Sequence, residues 1–126
     1  MKVLLTKAEK LEFFYNALCN SLEYFCSGYG FSINYQDEDY HNAKIKLKDP
    51  CFEDVLMQIL KDGKSIDFID EEGDGENSKS ITINFIYDNM ECTPSHCLIE
   101  MKDGHDDAVT GDVIIQSVLF KEIIFG

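Results

Sequence analysis

The chain has 126 residues, and its 11 basic and 24 acidic residues give a formal net charge of −13. Hydrophobic residues make up 44% of the chain and aromatic residues 12%, so it can bury a core, and intrinsic disorder is excluded despite the acidity. This length fits one domain, and we expect residues 1–126 to form a single compact domain. Direct binding to nucleic acid is unfavourable, because the phosphate backbone would repel the protein.

The cellular compartment follows from the hydropathy pattern and the cysteines. No apolar run approaches the ~18 residues that a membrane-spanning helix needs, and no signal peptide precedes the first charged helix. The chain has five cysteines, an odd number. Cys19 and Cys26 would lie about 10 Å apart along one helix, too far for a disulfide. We therefore expect a cytoplasmic protein with reduced thiols and no membrane partner.

The first segment has the hydrophobic period of an α-helix. Thr6 and Glu9 form the pattern of a capping box, so the helix is predicted to begin near residue 6 or 7. Gly28 and Gly30 offer left-handed positions at which it would end. Spacings of three and four join the apolar residues of one face: Leu4, Ala8, Leu11, Tyr15, Leu18, Leu22 and Phe25.

Two segments after this helix alternate apolar and polar residues, which is the period of a β-strand. Residues 31–35 and 43–48 are predicted to be strands that pair as a hairpin, with an acidic loop at residues 36–41. A second helix follows, with Asp49 at its cap and Pro50 in its first turn. Its buried stripe has helical spacing: Phe52, Val55, Leu56, Ile59 and Leu60.

The second half of the chain combines strand and helix patterns. Residues 65–69 and 80–87 are predicted to be strands of a hairpin that encloses an acidic, glycine-containing turn. Residues 92–101 fit a short strand or a helix, and the length of residues 110–125 favours a helix over strands. Together the segments predict an α+β fold, a small single domain with three helices packed on an antiparallel sheet of about four strands.

The acidity is concentrated in the second half. Residues 1–64 contain eight lysines and ten acids, whereas residues 65–126 contain three lysines and fourteen acids. Because every basic residue is a lysine, the chain lacks the guanidinium fork that usually binds phosphate or carboxylate groups bidentately. We predict that the clustered acids bind a partner: Asp67, Asp70, Glu71, Glu72, Asp74, Glu76, Asp103, Asp106 and Asp107.

Motifs for catalysis or metal binding are incomplete. Residues 70–75 match the first half of an EF-hand calcium loop, but Ile81 stands where a bidentate glutamate is required. Adjacent residues such as His96 and Cys97 are expected to point apart, so no nucleophile–base pair is predicted. The cysteines and histidines of this region lack the second closely spaced pair that is usual in structural zinc sites: Cys92, His96, Cys97 and His105. No catalytic residue, cofactor or metal ligand is predicted.

Three functions stay open at this point. The first is a small acidic, non-enzymatic interaction module that binds a basic protein surface, such as a nucleic-acid-mimicking inhibitor of the phage or mobile-element type. The second is a small divalent-metal-dependent enzyme or binder that uses the acidic 67–76 loop and the carboxylates of residues 103–107. The third is a structural homo-oligomer, such as a homodimer paired through its terminal helices. The charge map and the incomplete catalytic motifs favour the first.

Overall fold

A computed structural model describes residues 3–126. Within this range six α-helices, three β-strands and one 3-10 turn, Met90–Cys92, are formed. The helices are α1 (Lys7–Tyr29), α2 (Asp37–Lys44), α3 (Phe52–Lys61), α4 (Ile83–Asn89), α5 (Ser95–Lys102) and α6 (Ala108–Phe120). The strands are β1 (Phe31–Asn34), β2 (Ile66–Asp70) and β3 (Lys79–Ile81). The predicted α+β class and small single domain are confirmed, whereas the predicted numbers of helices and strands are wrong.

The sheet is antiparallel and has the order β1–β2–β3. Phe31 of β1 faces Asp70 of β2, and Ile81 of β3 faces Ile66 of β2. Strand β2 alternates buried and half-buried residues along its length, as expected for a strand with one face on the core. The predicted hairpin of β2 and β3 is confirmed, but β1 pairs with β2 and not with residues 43–48.

Helix α1 is the central helix of the core. The Thr6 hydroxyl accepts a hydrogen bond from the Glu9 backbone N–H, and the Glu9 carboxylate accepts one from the Thr6 N–H, which completes the predicted capping box. Gly30 ends the helix with a φ of 75°, a left-handed conformation that favours glycine. The predicted start, cap and end of this helix are confirmed, with Gly30 and not Gly28 in the left-handed conformation.

Helix α6 crosses α1 at a contact between small residues. A Cβ atom added at Gly111 would lie 3.1 Å from the Ala17 carbonyl oxygen and closer still to the Ser21 hydroxyl. The same Ser21 hydroxyl donates a hydrogen bond to the Ala108 carbonyl oxygen at 2.6 Å. The two helix backbones can approach this closely because residue 111 has no side chain.

The C-terminal helix ends earlier than predicted. Of residues 110–125, those up to Phe120 belong to α6, and Lys121 follows with a left-handed φ of 63°. The chain then turns back along α6, where the buried Gln116 supplies side-chain hydrogen bonds to the returning backbone. These bonds replace those that a longer helix would have formed.

Gln116 holds this returning segment against the core. Its Oε1 atom accepts hydrogen bonds from the backbone N–H groups of Ile124 and Phe125, each at 2.9 Å. Its Nε2 atom donates to Asp112 Oδ1 at 3.1 Å. The Phe125 ring is thereby stacked on the Tyr29 ring, with 4.6 Å between the ring centroids.

Residues 36–48 differ most from the prediction, because α2 replaces the acidic loop and part of the predicted strand. Three acids lie in the first turn of α2 and Lys44 lies in its last turn, an arrangement that the helix dipole favours. Ala43 is buried, whereas the Ile45 side chain is 68% exposed. The alternation over residues 43–48 therefore does not face the core.

The predicted strand over residues 80–87 is wrong beyond Ile81. The Thr82 hydroxyl accepts a hydrogen bond from the Phe85 backbone N–H at 3.3 Å and caps α4. Helix α4 buries Ile86 completely. The β-branched residues of this segment favour a strand. The Thr82 cap and the burial of Ile86 stabilise the helix instead.

Helix α3 begins later than predicted. Cys51 is its N-cap in place of Asp49, and the Cys51 backbone N–H donates to Asp54 Oδ2 at 3.1 Å. The predicted buried stripe is confirmed except at Phe52, which is 38% exposed; the buried members are Val55, Leu56, Ile59 and Leu60.

Candidate functional site

The β2–β3 loop is built around the side chain of Asp70, which is 7% exposed. Asp70 Oδ1 accepts a hydrogen bond from the Glu72 backbone N–H at 3.0 Å, and Oδ2 accepts one from the Asn77 N–H at 3.3 Å. The Ser78 hydroxyl oxygen accepts from the Asp70 N–H at 2.8 Å. The Asp70 carboxylate therefore shapes the loop from inside.

The start of this loop packs on the turn between α1 and β1. The Glu71 backbone N–H donates to the Gly30 carbonyl oxygen at 2.8 Å, and the Glu71 carboxylate accepts a hydrogen bond from the Ser32 hydroxyl. The Glu72 side chain lies so close to Gly30 that a Cβ atom there would be 2.8 Å from Glu72 Cγ. These contacts fix the position of the loop beside the C-terminal end of α1.

Three exposed carboxylates of the loop, Glu72, Asp74 and Glu76, form what we call the acidic tip. Asp67 belongs to the adjoining strand β2 and is half-buried. No ion pair within residues 3–126 involves the acidic tip, since the lysines that form ion pairs use other carboxylates: Lys10–Glu91, Lys46–Asp62 and Lys102–Glu9.

The other predicted acids lie in the connection between α5 and α6. Asp107 is the N-cap of α6, and its hydrogen bond from the Thr110 backbone N–H at 2.9 Å lowers the pKa of this carboxyl. Asp106 accepts a hydrogen bond from Asn20 Nδ2 at 2.6 Å, and Asp103 is exposed at the end of α5. Asn20, which contacts Asp106, and Gly30, which contacts Glu72, lie about 15 Å apart along the axis of α1.

A groove of about 410 Å³ between α1 and α3 was not predicted from the sequence. Tyr15 and Asp54 line it, and the Tyr15 hydroxyl donates to Asp54 Oδ1 at 2.7 Å. This bond and the one from the Cys51 N–H lower the pKa of Asp54, and the same bond to Asp54 is the main cause of the raised pKa of Tyr15. A charged carboxylate and a protonated phenol joined in this way connect two helices and are poorly suited to proton transfer.

Helix α5, the helical alternative for residues 92–101, brings three ligand-type side chains together. Cys97 Sγ lies 3.4 Å from His96 Nε2, so the expectation that these adjacent side chains point apart is wrong. Glu100 follows one turn later, and one ligand atom from each of the three residues lies within 4.8 Å of the others. The spacings i, i+3 and i, i+4 that place Glu100 on this face were visible in the sequence.

Three of the thiols, those of Cys19, Cys26 and Cys97, have a raised pKa, with burial as the largest cause. All five cysteines are free. Burial raises the pKa of the Cys97 thiol, with the charges of Glu100 and Asp107 adding to the shift, and burial raises the pKa of Cys26 to about 11. A thiol with a raised pKa is mostly protonated at neutral pH and is a weak nucleophile.

Within residues 3–126, no three carboxylates of the 67–76 loop or of residues 103–107 lie within metal-ligand distance of one another. The helices in this range include none that is both long and apolar enough to cross a membrane. No protein-family model, curated protein sequence or solved structure matches the chain. Its own geometry and charge are therefore the basis for a functional proposal.

Proposed function

We propose that the protein is a small acidic, non-enzymatic binding module that docks its acidic tip onto a basic protein surface. The observation that carries the proposal is the lack of cationic partners for this tip. Glu72, Asp74 and Glu76 are exposed, and no lysine in the described part of the chain forms an ion pair with them. Their charges are available to the lysines and arginines of another protein.

The shape of the loop supports the same proposal. The Asp70 hydrogen bonds and the contact of Glu71 with Gly30 tie both ends of the loop to the rest of the fold. A pre-ordered loop loses less conformational entropy when it binds than a flexible one. The concentrated negative field of the second half would also steer a basic partner towards it and speed association.

The class of partner that fits best is a nucleic-acid-binding protein. The groove of such a protein is lined with lysine and arginine to neutralise phosphates, and closely spaced carboxylates on a rigid loop can take the place of those phosphates. The protein would then act as a nucleic-acid-mimicking inhibitor. The carboxylates of Asp103 and Asp106 would form a second contact, because the α1 residues beside Asp106 and Glu72 lie about 15 Å apart along the helix axis, within the reach of a standard interface of about 800 Å² per partner.

The proposal is tested by affinity capture with three forms of the chain. The tip variant carries Glu72→Lys, Asp74→Lys and Glu76→Lys. The control variant has the same net charge but carries its lysines at other exposed acids: Glu23, Asp88 and Glu122.

Wild type and control are expected to retain a defined set of basic proteins at about 0.1 M salt and to release it at about 1 M, because the Debye length falls from about 10 Å to about 3 Å. The tip variant is expected to retain none of this set. Equal retention by the tip variant and the control, or retention that does not depend on salt, would contradict the proposal.

A further inference from the structure

Helix α5 carries a cluster of metal-ligand side chains that plays no part in the proposed docking of the acidic tip. It consists of His96, Cys97 and Glu100. His96 is exposed and Glu100 half-buried, whereas Cys97 is only 3% exposed. The thiol therefore has less room to move than the other two side chains.

We propose that His96 Nε2, Cys97 Sγ and a carboxylate oxygen of Glu100 bind one Zn²⁺ ion, with water at the fourth coordination position. A tetrahedral zinc site with Zn–S near 2.3 Å and Zn–N near 2.05 Å sets sulfur and nitrogen about 3.6 Å apart. The Sγ–Nε2 distance here is 3.4 Å. The distances from the Glu100 carboxylate oxygen to the other two ligand atoms are at most 4.8 Å. Rotation of the His96 and Glu100 side chains would have to shorten them by about 1 Å to reach tetrahedral zinc geometry.

The three ligand atoms, a nitrogen, a sulfur and an oxygen, favour zinc over calcium or magnesium. Calcium and magnesium take oxygen ligands almost exclusively, whereas zinc accepts sulfur, nitrogen and oxygen together. When the Zn–S bond forms, the Cys97 Sγ–H bond breaks and its proton leaves to the solvent. The negative charge of Glu100 and of the nearby Asp107 favours a cation at this place.

Cobalt substitution and zinc titration test the site directly. Co²⁺ added to the wild-type chain is expected to give a sulfur-to-cobalt charge-transfer band in the near ultraviolet. Zn²⁺ in tenfold excess is expected to raise Tm by about 3 °C or more. His96→Ala and Glu100→Gln are each expected to weaken zinc binding at least about tenfold. The matched control His41→Ala removes another exposed histidine, on α2, and is expected to change the affinity less than about twofold.

The buried Cys97 is tested without replacing it. X-ray absorption of the zinc-loaded wild-type chain is expected to show one sulfur ligand at about 2.3 Å beside nitrogen and oxygen ligands. Ligation by nitrogen and oxygen alone would overturn the site. So would a metal affinity, read from the charge-transfer band in a cobalt titration, that is unchanged in both His96→Ala and Glu100→Gln, because the metal would then be bound without these two side chains.

Discussion

Helix α6 and the β2–β3 loop each contain a buried polar side chain with internal hydrogen bonds, but only the loop also carries a group of exposed charges without ion pairs in residues 3–126. On α6, the side chain of Gln116 is fully buried and hydrogen-bonds to Asp112 and to the backbone of Ile124 and Phe125. In the loop, Asp70 is satisfied internally in the same manner, but the acidic tip beyond it is exposed and forms no ion pair within residues 3–126.

The buried polar side chains and the exposed charges are therefore expected to affect different properties, the first the stability of the fold and the second the binding of a partner. Buried polar groups are costly to leave without partners, so the fold is sensitive to substitution of Gln116. Exposed carboxylates contribute little to the free energy of unfolding, and in a chain with a net charge of −13 they repel one another. The charge of the tip can therefore be reversed while the fold stays intact.

The largest effect is expected at Gln116. Gln116→Leu keeps the side-chain volume but removes the acceptor for the Ile124 and Phe125 N–H groups. We expect the free energy of unfolding to fall by about 2–3 kcal/mol, because two part-buried N–H groups lose their acceptor and a group left unpaired costs about 1 kcal/mol or more. Urea denaturation measures the loss, and amide hydrogen exchange should show faster exchange at these two residues. Unchanged protection there would mean that Gln116 does not hold the C-terminal segment.

Substitution of Gly111 is expected to cause the second-largest loss in the free energy of unfolding. Gly111→Ala places a methyl group against Ser21 and the Ala17 carbonyl oxygen, and overpacking of this kind costs about 1–3 kcal/mol. The matched control is Gly28→Ala in α1, where nothing lies within 4 Å of the added Cβ. This control should stabilise the protein by about 0.5–1 kcal/mol, because alanine favours the helix. If thermal unfolding shows the same sign for both variants, the close helix contact is wrong.

Within the loop, Asp70 and Asp74 provide a matched pair. Asp70→Ala removes the acceptor of two backbone N–H groups and should destabilise the protein by about 1–2 kcal/mol. Asp74→Ala removes an exposed carboxylate and should change stability by less than about 0.5 kcal/mol. Chemical denaturation of both variants measures the difference. Equal losses would show that the loop is not organised around Asp70.

Tyr15→Phe removes the hydroxyl that joins α1 to Asp54, and a loss of about 1 kcal/mol is expected at neutral pH. The pKa of Asp54 is lowered in the folded state. Its contribution to stability is therefore present at neutral pH and is lost as the pH falls below about 4, through the folded-state pKa. The difference between wild type and variant should shrink between pH 7 and pH 2 in urea denaturation. A difference that stays constant with pH would exclude this role for the hydrogen bond.

The sequence predicts the parts of the fold in which local signals and burial agree. The capping box of Thr6 and Glu9 correctly predicts the start of α1, and the alternating pattern of residues 65–69 correctly predicts strand β2. The strand predicted over residues 43–48 is wrong. An alternating pattern favours a strand only when its apolar side packs on the core, and here Ile45, on that side, is exposed. The helix over residues 83–89 was missed because β-branched residues outweighed the single cap at Thr82.

Some features of the candidate sites can also be predicted from the sequence, and others depend on the folded structure. The charge of the acidic tip is visible in the sequence, because loop carboxylates between two strands are exposed. The internal role of Asp70 was not visible, since it depends on N–H groups that only the folded loop directs towards it. The contact between His96 and Cys97 depends on side-chain rotamers in the first turn of α5, and sequence spacing does not specify these.

The central claim is that the acidic tip is needed for binding and not for folding. The most direct test measures Kd for a purified basic protein from the capture experiment against wild type, the tip variant and the control variant. We expect the tip variant to keep the wild-type Tm within about 3 °C and to weaken Kd at least about tenfold, and the control to weaken it less than about threefold. Equal weakening by both variants, or unfolding of the tip variant, would contradict the account.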